Sequence, residues 1–192
     1  MLPVKLSGEI EMIEKEYKFL VNEDIFYKIK QELMKYHTNS VSTIQINYYY
    51  DDPDDSLFYN DITLRVRQIG KLLTKQTKER VHRRDALMIS NEKEEKIDIL
   101  PYRIDNRYHM LGQMISERQR IFLSDYAGHI DFDRNIYLGI CDYEIEFEVH
   151  DPDSPSIHSL INQYSLTEFN HPNGKYHRFH TQLELFRQSN IS

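Results

Sequence analysis

Two stretches near opposite ends of the chain alternate charge and apolar bulk with the period of two that a β-strand imposes. In Glu14-Lys15-Glu16-Tyr17-Lys18-Phe19, the residues Glu14, Glu16 and Lys18 share one face, opposite Lys15, Tyr17 and Phe19. In Asp142-Tyr143-Glu144-Ile145-Glu146-Phe147-Glu148-Val149, three glutamates share a face opposite Tyr143, Ile145, Phe147 and Val149. Between them, Thr63–Arg67 puts Arg65 with Arg67 on one strand face, and Glu117–Arg120 does the same for Arg118 and Arg120. Any fold of this chain must bury the apolar faces and also find a place for acidic strands at the ends and basic strands in the middle.

With 192 residues, 40% hydrophobic and 29% charged, the chain reads as one globular domain, 1–192. It has neither an apolar run that would span a bilayer nor a basic start followed by an apolar signal segment, so a cytoplasmic address without a membrane partner is expected. The single Cys141 excludes an internal disulfide and a multi-cysteine metal site. A net charge of -7 argues against a general nucleic-acid binder but leaves room for a local basic site. The nine histidines are scattered, with His177 and His180 a close pair, and they read as surface or packing residues rather than as a metal site.

The patterns predict strands at about 9–19, 41–50, 61–69, 71–79, 86–90, 114–123, 128–133 and 141–149. Helices are predicted at about 22–36, capped by Asn22, at 153–163, and in the tail carrying Phe179, Leu183 and Phe186. Asn91 with Glu94 resembles a capping box, and Ile104, Tyr108 and Leu111 suggest a helix ending at Gly112. Asp51–Asp55, Gly70, Ala127-Gly128 and Asn135–Gly139 read as turns, and Arg80–Arg84 as a charged loop. The sum is a mainly antiparallel α+β protein.

Alternation alone normally puts the apolar face in the core and the charged face in water. The sorting of signs between strands, with amphipathic helices that need an apolar surface, suggests the converse: a barrel whose outward apolar faces are covered by helices and whose lumen is charged. Such a lumen demands ligands. Two carboxylates 5 Å apart repel by about 3 kcal/mol at an effective dielectric of about 20. Oxygen-only acids suit Mg²⁺ or Mn²⁺, and converging guanidinium groups suit phosphate.

The motifs together resemble the CYTH domain, or triphosphate tunnel metalloenzyme, superfamily, in its short stand-alone bacterial form. Glu14-x-Glu16-x-Lys18 resembles the ExExK signature, Tyr48-Tyr49-Tyr50-Asp51 with Pro53 the tyrosine-rich strand and acidic turn, and Thr63-Leu64-Arg65-x-Arg67 the TLRxR strand. Thr77-Lys78-Glu79, the run from Asp131 and Asp133 through Leu138-Gly139 to Asp142-Tyr143-Glu144-x-Glu146, and Gly174-Lys175-x-x-Arg178 follow in the family's order. Glycine replaces the usual serine before Lys175, and residues 80–99 match poorly.

The resemblance implies a closed eight-stranded antiparallel β-barrel with helices packed outside. It implies Glu14, Glu16, Glu144 and Glu146 as catalytic metal ligands with Asp133, and Mg²⁺ or Mn²⁺ as cofactor. Lys18, Arg65, Arg67, Lys78, Arg118, Arg120, Lys175 and Arg178 would bind a small-molecule triphosphate. Hydrolysis of that triphosphate is the main expectation. Cyclisation of ATP to cyclic AMP and pyrophosphate, as in class IV adenylyl cyclases, and a non-catalytic polyphosphate- or nucleotide-binding module are the alternatives. Monomer and homodimer both remain open.

Overall fold

The computed structural model of the chain describes residues 10–123 and 128–189; Glu9 of the first expected strand and Ala127 of an expected turn lie outside them. Strand β1 (Ile10–Val21) leads into helix α1 (Glu23–Tyr36), where the Asn22 side chain accepts from the Ile25 N–H at 2.9 Å, as an N-cap does. Strand β2 (Ser40–Asp51) and the short helix α2 (Ser56–Tyr59) follow, then β3 (Ile62–Ile69), β4 (Leu72–Arg84), β5 (Leu87–Ile97) and the two-residue β6 (Arg103–Ile104). Strands β7 (Tyr108–Leu123), β8 (Gly128–Tyr137) and β9 (Ile140–Val149) complete the sheet, and helices α3 (Pro155–Gln163) and α4 (Lys175–Ser189) end the fold.

Strand neighbours run β2-β3-β4-β5-β1-β9-β8-β7, and β7 pairs back onto β2, every pair antiparallel. That return closes an eight-stranded barrel, with β6 a short addition beside β7. The apolar faces point outward, as the sorting of signs suggests. Tyr17, Phe19, Phe132, Ile145 and Phe147 form one buried cluster with Phe26, Ile29 and Leu33 of α1 and Ile157, Leu160 and Ile161 of α3. Helix α4 lies across one end of the barrel. Tyr49, Met114 and Tyr137 continue the inward faces of β2, β7 and β8, and they pack on Tyr176, Phe179 and Leu183 of that helix.

Several local expectations are corrected. Arg80–Arg84 is no loop but the end of β4, paired with Leu87–Ser90 across a register shift between Arg80 and His82. Asn91 and Glu94 cap nothing, because both lie inside β5 between β1 and β4. The helix expected to end at Gly112 is replaced by β6 and the start of β7, paired with Tyr50 and Asp51 of β2. In each case a cross-strand partner outweighs a short helical spacing. Asn135 to Tyr137 extend β8 against Ile140–Asp142, so only Leu138 and Gly139 turn. Asp51 belongs to β2, and the turn after it opens into α2, which the turn residues had concealed.

Helix α4 approaches β7 so closely at Gly112 that an added Cβ would lie 2.9 Å from the Phe179 ring, and the φ of 156° is one that L side chains rarely adopt. Phe179 is fully buried and cannot swing away. Gly112→Ala is therefore expected to lower stability by about 1–3 kcal/mol, read as a lower urea midpoint at unchanged slope. An unchanged midpoint would contradict this packing.

Candidate active site

Strand alternation aims the charged faces into the barrel, around a cavity of about 60 Å³. Glu14, Glu16 and Lys18 come from β1, Thr63, Arg65 and Arg67 from β3, Lys78 and Arg80 from β4, Met88 and Ser90 from β5, Arg118 from β7 and Glu146 from β9. Lys175, Tyr176 and His177 reach it from the start of α4, and Asp61 stands at its edge. Seven cationic side chains against four carboxylates line it, although the protein as a whole carries -7.

The charges interlock. Lys18 Nζ lies 3.0 Å from Glu16 and 2.8 Å from Glu146. Lys78 pairs with Glu14 and lies 2.6 Å from Glu16. Lys175 sits 2.8 Å from both Asp133 and Glu146 and pairs with Glu144. Arg118 reaches Glu146 at 2.7 Å and also pairs with Asp131 and Asp133. Burial alone would raise the Glu146 carboxyl, but Lys175, Lys18 and Arg118 together hold it well below the usual range. Glu144 goes the other way: full burial raises it despite Arg178 and Lys175, with the Glu146 charge adding to the rise. Two neighbouring carboxylates are thus pushed apart in acidity.

Arg67 stands out. Its Nε donates to Asn47 Oδ1 at 2.9 Å, and among the described residues no carboxylate pairs with it. Burial, then the adjacent Arg65 and Arg118 charges, push its guanidinium down to about 10. A half-buried cation without a counter-charge, lining a cavity, is a place suited to an anion.

Asp133, Glu144 and Glu146, all buried, each offer one oxygen within 4.8 Å of the others. An oxygen-only set of this kind fits a hard divalent cation such as Mg²⁺ or Mn²⁺. Glu14 and Glu16 stand apart from that trio, joined to it through Lys18.

Four of the expected residues, Asp133, Glu144, Arg120 and Arg178, do not line the cavity, and of the buried acidic trio only Glu146 does. Arg120 pairs with Asp131 at 2.7 Å toward another part of the barrel, and Arg178 lies 2.6 Å from Glu144 and 3.0 Å from Asp142. Glu92, Gln76 and Asn47 were not singled out in the sequence. Glu92 lies 3.2 Å from Arg65, whose Nε donates to Gln76 at 2.6 Å. The signal for Glu92 was its alternation with Met88 and Ser90 on β5, hidden by the resemblance of Asn91 and Glu94 to a helix cap.

Beyond the cavity, His129 Nε2 lies 3.0 Å from Glu148 and 3.6 Å from Asp131. Burial pulls its imidazolium down, but the two carboxylates win and lift it to about 9. Because the folded value is raised, this contribution to stability is complete below about pH 6.5 and is lost as pH rises toward 9. His129→Gln is expected to flatten the fall of the urea midpoint between pH 6.5 and 9; an unaltered pH profile would contradict the pairing.

The fold has solved relatives. A candidate adenylate cyclase from Bacillus halodurans superposes with a TM-score of 0.70 at 21% identity, covering 88% of this chain and 98% of that one. A candidate adenylyl cyclase from Hippeastrum, described as having a dominant triphosphatase activity, gives 0.71 at 16% identity over 88% and 95%. The triphosphatase of the Mimivirus capping enzyme gives 0.51 at 13% over 81% and 89%. No curated protein matches the chain. The family model of the CYTH domain matches residues 12–163. With its closed barrel and ordered motifs, this chain belongs to the CYTH domain family.

Proposed function

We propose that the protein is a divalent-metal-dependent triphosphatase that hydrolyses a compact triphosphate inside the barrel. The observation that carries this reading is the half-buried Arg67, without a carboxylate partner among the described residues, lining the same cavity as Glu146 of the Asp133, Glu144 and Glu146 trio. A linear polyanion satisfies the first group and a hard cation the second. The walls offer few surfaces for a base to stack on: among the lining residues these are Met88, Tyr176 and His177, the last two from the start of α4. That favours hydrolysis of a small triphosphate over cyclisation of ATP.

Asp133, Glu144 and Glu146 would hold Mg²⁺ or Mn²⁺, which when bound supplies Lewis-acid polarisation of phosphate oxygens. Arg65, Arg67 and Arg118 orient the triphosphate as guanidinium forks, and Lys18, Lys78 and Lys175 exchange carboxylate oxygens for phosphate oxygens. Glu14 and Glu16, released from Lys78, orient a water for in-line attack on a terminal phosphorus. The new O–P bond forms as the bridging P–O bond breaks. The water's proton passes to a carboxylate, and orthophosphate and pyrophosphate leave. Arg120 and Arg178 act from behind, through Asp131 and Glu144.

The test is product analysis with purified protein, inorganic triphosphate and ATP in parallel, with Mg²⁺, with Mn²⁺ and with chelator. Metal-dependent phosphate release from triphosphate is expected. Cyclic AMP with pyrophosphate from ATP would make the protein a cyclase, and binding without turnover under every metal would make it a binding module. Glu16→Gln and Glu144→Gln are expected to abolish turnover while the protein stays folded by circular dichroism; near-normal rates in both would sink the mechanism. Arg67→Met gives a sharper contrast. Removing charge-assisted hydrogen bonds should weaken triphosphate binding about ten- to a hundredfold. The ligand-free protein should melt close to wild type, because loss of an unpaired charge offsets loss of the hydrogen bond to Asn47.

A further inference from the structure

Outside the barrel, α4 and the turn before α2 bring together Asp55, His180 and Glu184, each offering one ligand atom within 4.8 Å of the others. His180 and Glu184 are four residues apart on α4, the spacing that sets two side chains on one helix face. The imidazole is 2% exposed, and neither ring nitrogen makes a hydrogen bond. Its Nε2 nevertheless lies 3.0 Å from an Asp55 carboxylate oxygen. Phe58 stacks on the ring at 3.9 Å between centroids and 17° between planes, which fixes its orientation.

The Asp55 carboxylate has no ion pair besides the contact with His180 among the described residues. It stands at the N-cap position of α2 yet makes no side-chain cap hydrogen bond. Asp51 and Asp52 do that work instead, accepting from the N–H groups of Ser56, Leu57 and Phe58 at 2.9–3.0 Å. A buried imidazole whose Nδ1 has no partner and whose Nε2 meets only Asp55, without a hydrogen bond, carries a penalty. A metal ion removes it, because two ligands of a tetrahedral zinc lie about 3.3 Å apart, close to the spacing of His180 and Asp55.

We propose that Asp55, His180 and Glu184 form a binding site for a divalent transition-metal ion of the zinc class, distinct from the lumen. One imidazole nitrogen and two carboxylates, with a fourth position for water at the more exposed Glu184, whose Oε1 also accepts from Arg187 at 2.6 Å, suit such an ion better than Mg²⁺ or Ca²⁺. The site ties the middle of α4 to the α2 turn. The first turn of the same helix carries Lys175 and Arg178 to the glutamates of β9, so the bound ion braces the helix that presents them.

The experiment uses the full chain, stripped by chelator and dialysed, with Zn²⁺ alone as probe. Zinc affinity is measured by competition with a chromophoric chelator, and zinc is located by anomalous diffraction. Wild type is expected to bind zinc with a peak between His180 and Asp55 and to melt at a higher temperature when it is present. Asp55→Asn and Glu184→Gln, at less buried positions than His180, should each weaken zinc binding at that site at least tenfold while remaining folded. Zinc bound equally by wild type and both variants, a peak confined to the barrel, or no zinc bound at all would overturn the proposal.

Discussion

The structure depends on keeping a dense set of ionised side chains inside a protein. An ionised group loses several kcal/mol of hydration on burial unless partners replace the water. This barrel meets that constraint by placing opposite charges on neighbouring and next-neighbouring strands and on α4, so that Glu14, Glu16, Glu92, Asp131, Asp133, Glu144 and Glu146 each have a cationic partner. Glu146 sits at the crossing: β1 brings Lys18, β7 brings Arg118 and α4 brings Lys175 to one carboxylate. Removing any of the three leaves charge uncompensated on elements far apart in sequence. The ion pairs thereby specify the register of the ring as well as lining it.

Turning the charged faces inward leaves the apolar faces outward, and the helices follow from that. Helices α1 and α3 cover β1, β8 and β9, where Phe19, Phe132, Ile145 and Phe147 stand with no exposure. Helix α4 solves a different problem. At the end where the lumen residues turn aromatic, it supplies Tyr176 and Phe179 as a stopper, and the Tyr176 hydroxyl donates to Asp51 at 2.6 Å. The Asp51 carboxylate also accepts from the first N–H groups of α2, so one buried acid joins β2, α2 and α4. Lys175 thus enters the lumen from an element that is itself anchored.

Much of this was legible in the sequence because period-two alternation is unambiguous over eight residues. The faces of β1, β3 and β9 could be assigned from Glu14 to Phe19, Thr63 to Arg67 and Asp142 to Val149 alone. Ring closure could not. It rests on β2 pairing with β7, as in Ile44 against Glu117, and no local pattern encodes a partner so distant. The failures lie where local and non-local signals compete. Asn91, Glu94, Ile104, Tyr108 and Leu111 carry helical spacing, yet each lies in a strand whose cross-strand pairing decides the matter. Glu92 was missed for the same reason. The unpaired state of Arg67 is visible only once Arg65 and Arg118 stand beside it.

The interlocked lumen also explains how an anion and a cation would share so small a cavity. Each lysine–carboxylate contact near 2.8 Å represents a gross attraction of about 6 kcal/mol at an effective dielectric of 20, so neither partner separates without a replacement. Lys175 and Lys18 are held by the carboxylates that a divalent ion would need, Glu144 and Glu146. Under the proposed reading, Glu144 and Glu146 would hold the ion, and Lys18 and Lys175 would turn from those carboxylates to phosphate oxygens. Neither ligand alone completes the exchange: the cation would leave lysines unpaired, and the anion would leave carboxylates unpaired. Under the same reading Arg67, which has no carboxylate to give up among the described residues, would be the group to which an anion adds without displacing one, and the exchange would begin there.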